Sequence, residues 1–471
     1  MINEKFRRQL RHEAQLWKEE QIIDDSVYQQ LVTRYQFNHL ETAASSRFVM
    51  ILIGLGGILL GLGVITFVAA NWQDWSKTVK VILLLSLFIG VNAAGFYLWQ
   101  QPLDSLEVGR KQKLGQGLLL FGALILGANI ALMGQIFHQS GSTYELFLVW
   151  AIGVLAMSYS LQLTSLGFLG LLLYGIGYWS GASNLLLLLF SPEPFSLLNF
   201  FLEHTPLIAG FIFIPLAYRC QSRVLFIMTL LILIPALQIS ILPLLNSGLP
   251  EGLIFAIMFI FTPALLWSYD DISWPMIDSR PFQPSARTLS IIQLSIVFFG
   301  LSFNGVWNDL LENNSNNSMF MSNFLLIDFY IFLGILLLQW FQLIKPGAIH
   351  PNKWGFDTVT GVIAGFLGLT GLIFFWHLQI NKIPEIATFL VNVQMFILAT
   401  GLIRIGLAQT RRFAFWGGMI LLVTQIMSRT FEYNTELILK AFVFTLCGVG
   451  VILAGLWFER HLSAVSPTQN R

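Results

Sequence analysis

Asp328 lies about two turns inside the long apolar run 322–343, roughly 9 Å from its start at 1.5 Å per residue. Lys440 lies about one turn inside the run 436–457, and Lys80 just inside 78–99. An ionisable group at such depth is costly, so it pairs, reaches water or serves a ligand or proton path. Asp74, Glu145, Arg429 and Glu432 flank the same ends of the runs, so the penetrating charges gather at one depth. This placement leads us to expect Asp328 paired with Lys440 or Lys80. Arg429, Glu432, Glu145, Gln135 and His138 would complete an outward-facing polar pocket. Structural ion pairing, with the lysines snorkelling to the interface, accounts for the same pattern.

Gln135 and His138 belong to the stretch GQIFHQSGSTY, 134–144, an uncharged polar patch between two apolar runs. Trp72 and Trp75 occupy the preceding loop on that side, at the interfacial depth tryptophan favours. Amides, hydroxyls and one imidazole beside tryptophans suit a neutral polar ligand such as a sugar or lipid headgroup. They equally suit a turn that satisfies itself. Deeper in the runs the polar residues are amides: Asn92, Asn129, Gln238, Gln293, Asn392 and Gln394. Amides at depth hydrogen-bond helix to helix more often than they bind ligands. No phosphate-cradling loop, H-E-x-x-H or clustered Cys/His set is present, so neither a cofactor nor a metal is expected from His138, His204 and His377. Cys220 and Cys447 stand far apart and give no disulfide or zinc framework.

The elements that must carry these residues are set by composition. Of 471 residues 55% are hydrophobic and 11% charged, well under the roughly 25% charged of soluble proteins. Net charge is +1, so no basic field for nucleic acid exists, and the bilayer is the expected partner. The expected fold is all-α and polytopic. About fourteen apolar runs are long enough to span, with thirteen to fifteen as the range: 48–70, 78–99, 114–134, 144–161, 163–181, 204–218, 224–245, 249–267, 287–306, 322–343, 357–377, 384–404, 412–428 and 436–457. The run 204–218 is short and follows 185–203, which reads as a broken or interfacial helix. With the N-terminus in the cytoplasm, 21 of the 26 lysines and arginines fall on the cytoplasmic side. Both termini are then cytoplasmic, and the loop 308–318 lies outside.

The domain reading is a cytoplasmic helical hairpin, 1–44, a multi-pass membrane domain, 45–461, and a short cytoplasmic tail, 462–471. Phe6, Leu10, Ala14 and Trp17 share one helix face, and Val27, Leu31 and Tyr35 another. Ser26 and Gln29 fit a capping box between them. Two apolar faces on so small a unit must lean on the membrane domain, on a second copy or on a protein partner. The pairs Gly57/Gly61, Gly177/Gly181 and Gly361/Gly365 mark candidate close helix contacts. A weak echo links 56–71 with 115–129.

The stretches LRHEAQLWKEEQIIDD (10–25), FVAANWQDWSKTVK (67–80), GQIFHQSGSTYELFLVWA (134–151) and SRTFEYNTELILKAFVFTLCGVGVILAGLWFER (428–460) resemble a bacterial family of multi-pass membrane proteins labelled only as a domain of unknown function. The resemblance implies location and topology, with a bacterial plasma membrane as the default site. It brings no activity, substrate or catalytic residue. Three classes of function stay open: a carrier or flippase-like binder of a polar or amphipathic small molecule, a non-transporting scaffold working through the hairpin, and a transferase acting on lipid-linked substrates.

Overall fold

The structure is a computed structural model that describes residues 4–35, 59, 74–100, 106–138, 141–188, 197–274, 280–312, 326–344, 355–433 and 436–465. Every regular element among them is helical. The chain divides into two units, Met1–Ile89 and Gly90–Arg471.

In the first unit, α1 (Glu4–Glu19) and α2 (Asp25–Tyr35) form the hairpin. Ala14 is its buried centre, with Leu10, Trp17, Tyr28, Leu31 and Val32 around it. The second face therefore turns on Tyr28 and Val32 rather than on Val27, which is exposed. The cap also differs from expectation. Asp24, not Ser26, accepts from the Val27 N–H at 3.1 Å, and its carbonyl takes the first helical bond from Tyr28. A carboxylate at that place faces the positive end of the helix dipole, which a hydroxyl cannot match. Lys18 ties the two helices through Asp25 at 2.5 Å. That hydrogen bond holds the Lys18 ammonium above its ordinary range.

The remaining helices are α3 (Lys77–Trp99), which begins in the first unit, then α4 (Leu106–Ile136), α5 (Thr143–Leu161), α6 (Thr164–Leu188) and α7 (Leu197–Glu203). After them come α8 (Thr205–Arg219), α9 (Arg223–Ile241), α10 (Glu251–Ser268), α11 (Gln283–Leu301) and α12 (Asn304–Glu312). The last are α13 (Leu326–Ile344), α14 (Thr358–Phe375), α15 (Pro384–Ala408), α16 (Arg412–Glu432) and α17 (Leu437–Val465). Ten of the described helices are long and apolar enough to cross a bilayer. Many carry apolar side chains all round, with Ile296, Leu372 and Phe389 about two-thirds exposed. Such surfaces are stable only against hydrocarbon, where the helix satisfies its own backbone. The chain is thus an all-α polytopic membrane protein.

Twelve of the expected runs coincide with described helices or largely overlap them, while 48–70, with Gly57, Gly61 and half of the suspected echo, falls outside the described residues except for Leu59. The run 287–306 does not hold as one helix. α11 ends at Leu301, and Asn304–Glu312 forms a separate helix whose Trp307 is fully buried. Trp307 Nε1 donates to the Leu301 carbonyl at 2.8 Å, satisfying the end of the helix it follows. The run 204–218 is one short apolar helix with a π-helical segment, Ala209–Phe213.

Two cores form within the second unit. One gathers α5, α6, α8, α9, part of α10 and the start of α13; the other gathers α10, α11, α12, α14 and α15. The glycine pairs separate cleanly. A Cβ on Gly177 would come within 3.1 Å of Leu148 and one on Gly181 within 2.8 Å of Leu202, so this pair packs closely. A Cβ on Gly365 would meet nothing within 4 Å, and on Gly361 only Phe356 at 3.9 Å, so that pair does not.

Candidate functional site

Asp328 sits in the first turn of α13 and is fully buried. Its partner is His204, at the residue that precedes α8: Nδ1 and Oδ1 stand 2.6 Å apart. Lys440 instead lies over the Phe431 ring, 5.4 Å from its centroid. The expected Asp328–lysine pair is therefore replaced by an Asp–His pair. The reason is geometric: the chain turn 203–205 brings an imidazole to the same depth, and its shorter, stiffer side chain pays less entropy than a lysine reaching from α17. Phe200 packs on the imidazole with centroids 4.5 Å apart. Beside the pair, Tyr174 Oη donates to the Phe201 carbonyl at 2.8 Å and lies 3.0 Å from Thr205 Oγ1. Glu203 completes the polar group at the end of α7.

The other expected pocket residues have local structural tasks. Arg429 donates from Nη1 to the Ser302 carbonyl at 2.7 Å and from Nη2 to Ser302 Oγ at 3.0 Å, and it pairs with Glu432. Glu432 accepts from the Asn304 N–H at 2.7 Å. Together they clamp the α11–α12 corner onto α16. Glu145 accepts from the Ser142 N–H at 3.0 Å and so tethers the start of α5. Gln135 and His138 are exposed where α4 ends, and His138 takes a left-handed φ of 54°. At its described residues the polar patch 134–144 is a helix stop at Ile136 and a helix start at Thr143. Lys80 is half-buried and belongs to the other unit.

The deep amides join helices. Gln394 donates to the Phe366 carbonyl at 3.0 Å and accepts from Thr370. Asn392 donates to the Ser302 carbonyl at 3.1 Å, and Gln425 donates to the Asn392 carbonyl at 2.7 Å. Asn129 is buried, and Asn92 stands where a Cβ on Gly122 would collide with it. His377 accepts from the Ile383 N–H at 3.0 Å and reaches the Trp307 carbonyl at 3.0 Å. Among the described residues no group of three His, Cys, Asp or Glu could hold a metal ion.

A cavity not foreseen from the sequence lies between α8, α9, α10 and α13, with a volume of about 450 Å³. Gly210 and Phe211, in the π-helical segment of α8, line it with Phe332, and the Phe211 ring stands 6.3 Å from both the Phe332 and the Trp274 rings. Phe332 is one helical turn along α13 from Asp328. Leu230, Leu233 and Leu265 add apolar wall, and Tyr269, Ser273, Trp274, Gln339 and Gln342 carry its polar groups. The loop that holds Tyr269, Ser273 and Trp274 is fixed by its own hydrogen bonds. Asp271 is fully buried, accepts from the Gln283 N–H at 2.8 Å and from Tyr218 Oη, and so caps α11 from a distance. Tyr218 Oη lies 2.5 Å from Tyr269 Oη, to which Trp274 Nε1 donates at 3.1 Å. Burial pushes the Tyr269 hydroxyl above the usual tyrosine range. Arg280 pairs with Asp270 at 3.1 Å and pins the same loop. Sequence reasoning missed this cluster because YDDISW, 269–274, reads as an ordinary charged loop. Only the fold turns Asp271 inward.

Fold and site define a polytopic helical membrane protein with a membrane-embedded apolar cavity bounded by polar groups. Residues 15–167 match the model of a family described as "Predicted membrane protein (DUF2157)". The match runs from the hairpin into the start of α6; the stretch 428–460 and the cavity lie beyond it. No curated protein and no solved structure matches the chain.

Proposed function

We propose that this protein binds an amphipathic small molecule in the α8–α13 cavity and carries it between the faces of the membrane. The observation behind this reading is that two helices share two features. The His204–Asp328 pair joins the residue before α8 to the first turn of α13, and the same two helices line a cavity that has both apolar walls and polar groups. Apolar walls with a few convergent polar groups are the usual form of a small-molecule site. The walls would take a hydrocarbon tail, and Gln339, Gln342 and Ser273 a neutral head. The π-helical turn at Ala209–Phe213 supports a site there, since such turns often occur at functional sites. On the lysine and arginine count, the 269–274 loop beside the cavity lies toward the cytoplasm and the Asp–His pair toward the outside of a plasma membrane. The outward pocket expected around Asp328 has less behind it, because Lys440, Arg429, Glu432 and Glu145 each serve a local contact elsewhere and Gln135 and His138 lie where a helix ends.

The test uses the full-length protein in vesicles with a photoactivatable probe, a neutral hydroxyl head on an alkyl diazirine tail. Adducts should concentrate at Phe211, Phe332 and Leu338 and fall in Leu338→Trp. Adducts spread evenly over all lipid-facing helices would remove the cavity from consideration. A second reading, a scaffold acting through the hairpin, rests on the exposure of Leu16, Ile22 and Val27. Capture of a second copy of this chain through residues 1–44, lost in Ile22→Asp, would favour it.

A further inference from the structure

A second groove, independent of the cavity above, runs between α11, the end of α15 and α16, with a volume of about 740 Å³. Its walls extend from Thr288 to Phe299 on α11 and from Arg412 to Thr424 on α16. At 1.5 Å per residue each wall is roughly 17 Å long. That is close to one leaflet of a hydrocarbon core about 30 Å thick. Ile296, Phe413 and Ile420 on the walls are each more than 60% exposed, so the slot opens toward the lipid. The groove is charged at one end only, where Arg411 and Arg412 are both exposed, and no carboxylate lines it. Gly417 forms part of its floor, where a Cβ would meet nothing within 4 Å.

We propose that this groove holds one anionic phospholipid drawn from the leaflet at the Arg411 end. The headgroup phosphate sits against Arg411 and Arg412, and an acyl chain lies over Gly417 between α11 and α16. Charge complementarity selects the occupant. A guanidinium matches phosphate oxygens in a planar fork, and two of them stand at headgroup level above an apolar slot one leaflet deep. A zwitterionic lipid would bring its own ammonium into the same field and lose much of that attraction. A soluble anion would leave the slot unfilled, so the phospholipid fits both halves of the site.

Native mass spectrometry of the full-length protein in detergent tests this, with phosphatidylglycerol and phosphatidylcholine of equal chain length titrated separately. Retention of one phosphatidylglycerol should need about tenfold less lipid than phosphatidylcholine, because both phosphates reach the guanidiniums but only choline brings an opposing positive charge to them. Arg411→Gln with Arg412→Gln should erase that preference, while Gly417→Leu should lower retention of both lipids by filling the floor. Helix content and elution volume check that each variant is folded. Equal retention of the two lipids by the unaltered protein would overturn the anionic site. So would an unchanged preference in the double arginine variant. Unchanged retention in a folded Gly417→Leu protein would show that the chain lies elsewhere and would equally overturn it.

Discussion

A buried carboxylate within a membrane helix is tolerable only with its partner, and for Asp328 that partner is His204. Removing one member of a buried pair leaves an uncompensated polar group and costs roughly 3–5 kcal/mol, whereas replacing both with apolar residues costs much less. His204→Ala should therefore lower the thermal midpoint in detergent, and His204→Leu with Asp328→Leu should recover much of the loss. Lys440→Met should leave the Asp328 environment unchanged. Purely additive losses at 204 and 328 would show that the pair does not act as a unit. Asp328 was legible in the sequence as an anomaly of depth, and its partner was not. Periodicity places residues along a helix but says nothing about which residue of another helix arrives at the same level.

Helix pairs in hydrocarbon gain little from apolar burial, so close approach carries the packing. At the α15–α16 contact a Cβ on Gly418 would come within 2.6 Å of the Ala399 carbonyl oxygen, and one on Gly406 within 2.5 Å of the Phe415 nitrogen. Gly418→Leu must separate the helices and should cost several kcal/mol, in the range of overpacked cores and above. Gly365→Leu, with open space at its Cβ, should be close to neutral. Unfolding of both variants in the same detergent checks the contrast, and equal losses would refute it. The G-x-x-x-G spacing picked out both the pair that packs and the pair that does not. The spacing records that a helix face is smooth, and only the neighbour decides whether anything lies against it.

For the whole molecule, lysine and arginine placement predicts topology. Tags at residues 1 and 471 should be protected in intact cells, and a cysteine at Asn314 should react with a membrane-impermeant thiol reagent. Reversed labelling would invert the orientation assumed for both proposed sites. Deleting residues 1–40 should leave the membrane helices folded, because each span satisfies its own backbone and the hairpin has its own small centre at Ala14. Aggregation of the truncated chain on extraction would make the hairpin part of the membrane fold.

What the sequence determined by itself is what one-dimensional physics governs. An apolar run of sufficient length must become a helix in hydrocarbon, so the class and, apart from 287–306, the helix positions from 78 onward followed from composition and period alone. The tertiary structure decided what depends on lateral arrangement. It turned Asp271 inward to cap α11, assigned Arg429 and Glu432 to a corner rather than a pocket, and paired Asp328 with His204. It also opened the cavity between α8 and α13. These contacts join residues up to 128 positions apart, as between Glu432 and Asn304. In a bilayer every helix presents apolar faces, so hydropathy carries almost no information about which face meets which neighbour.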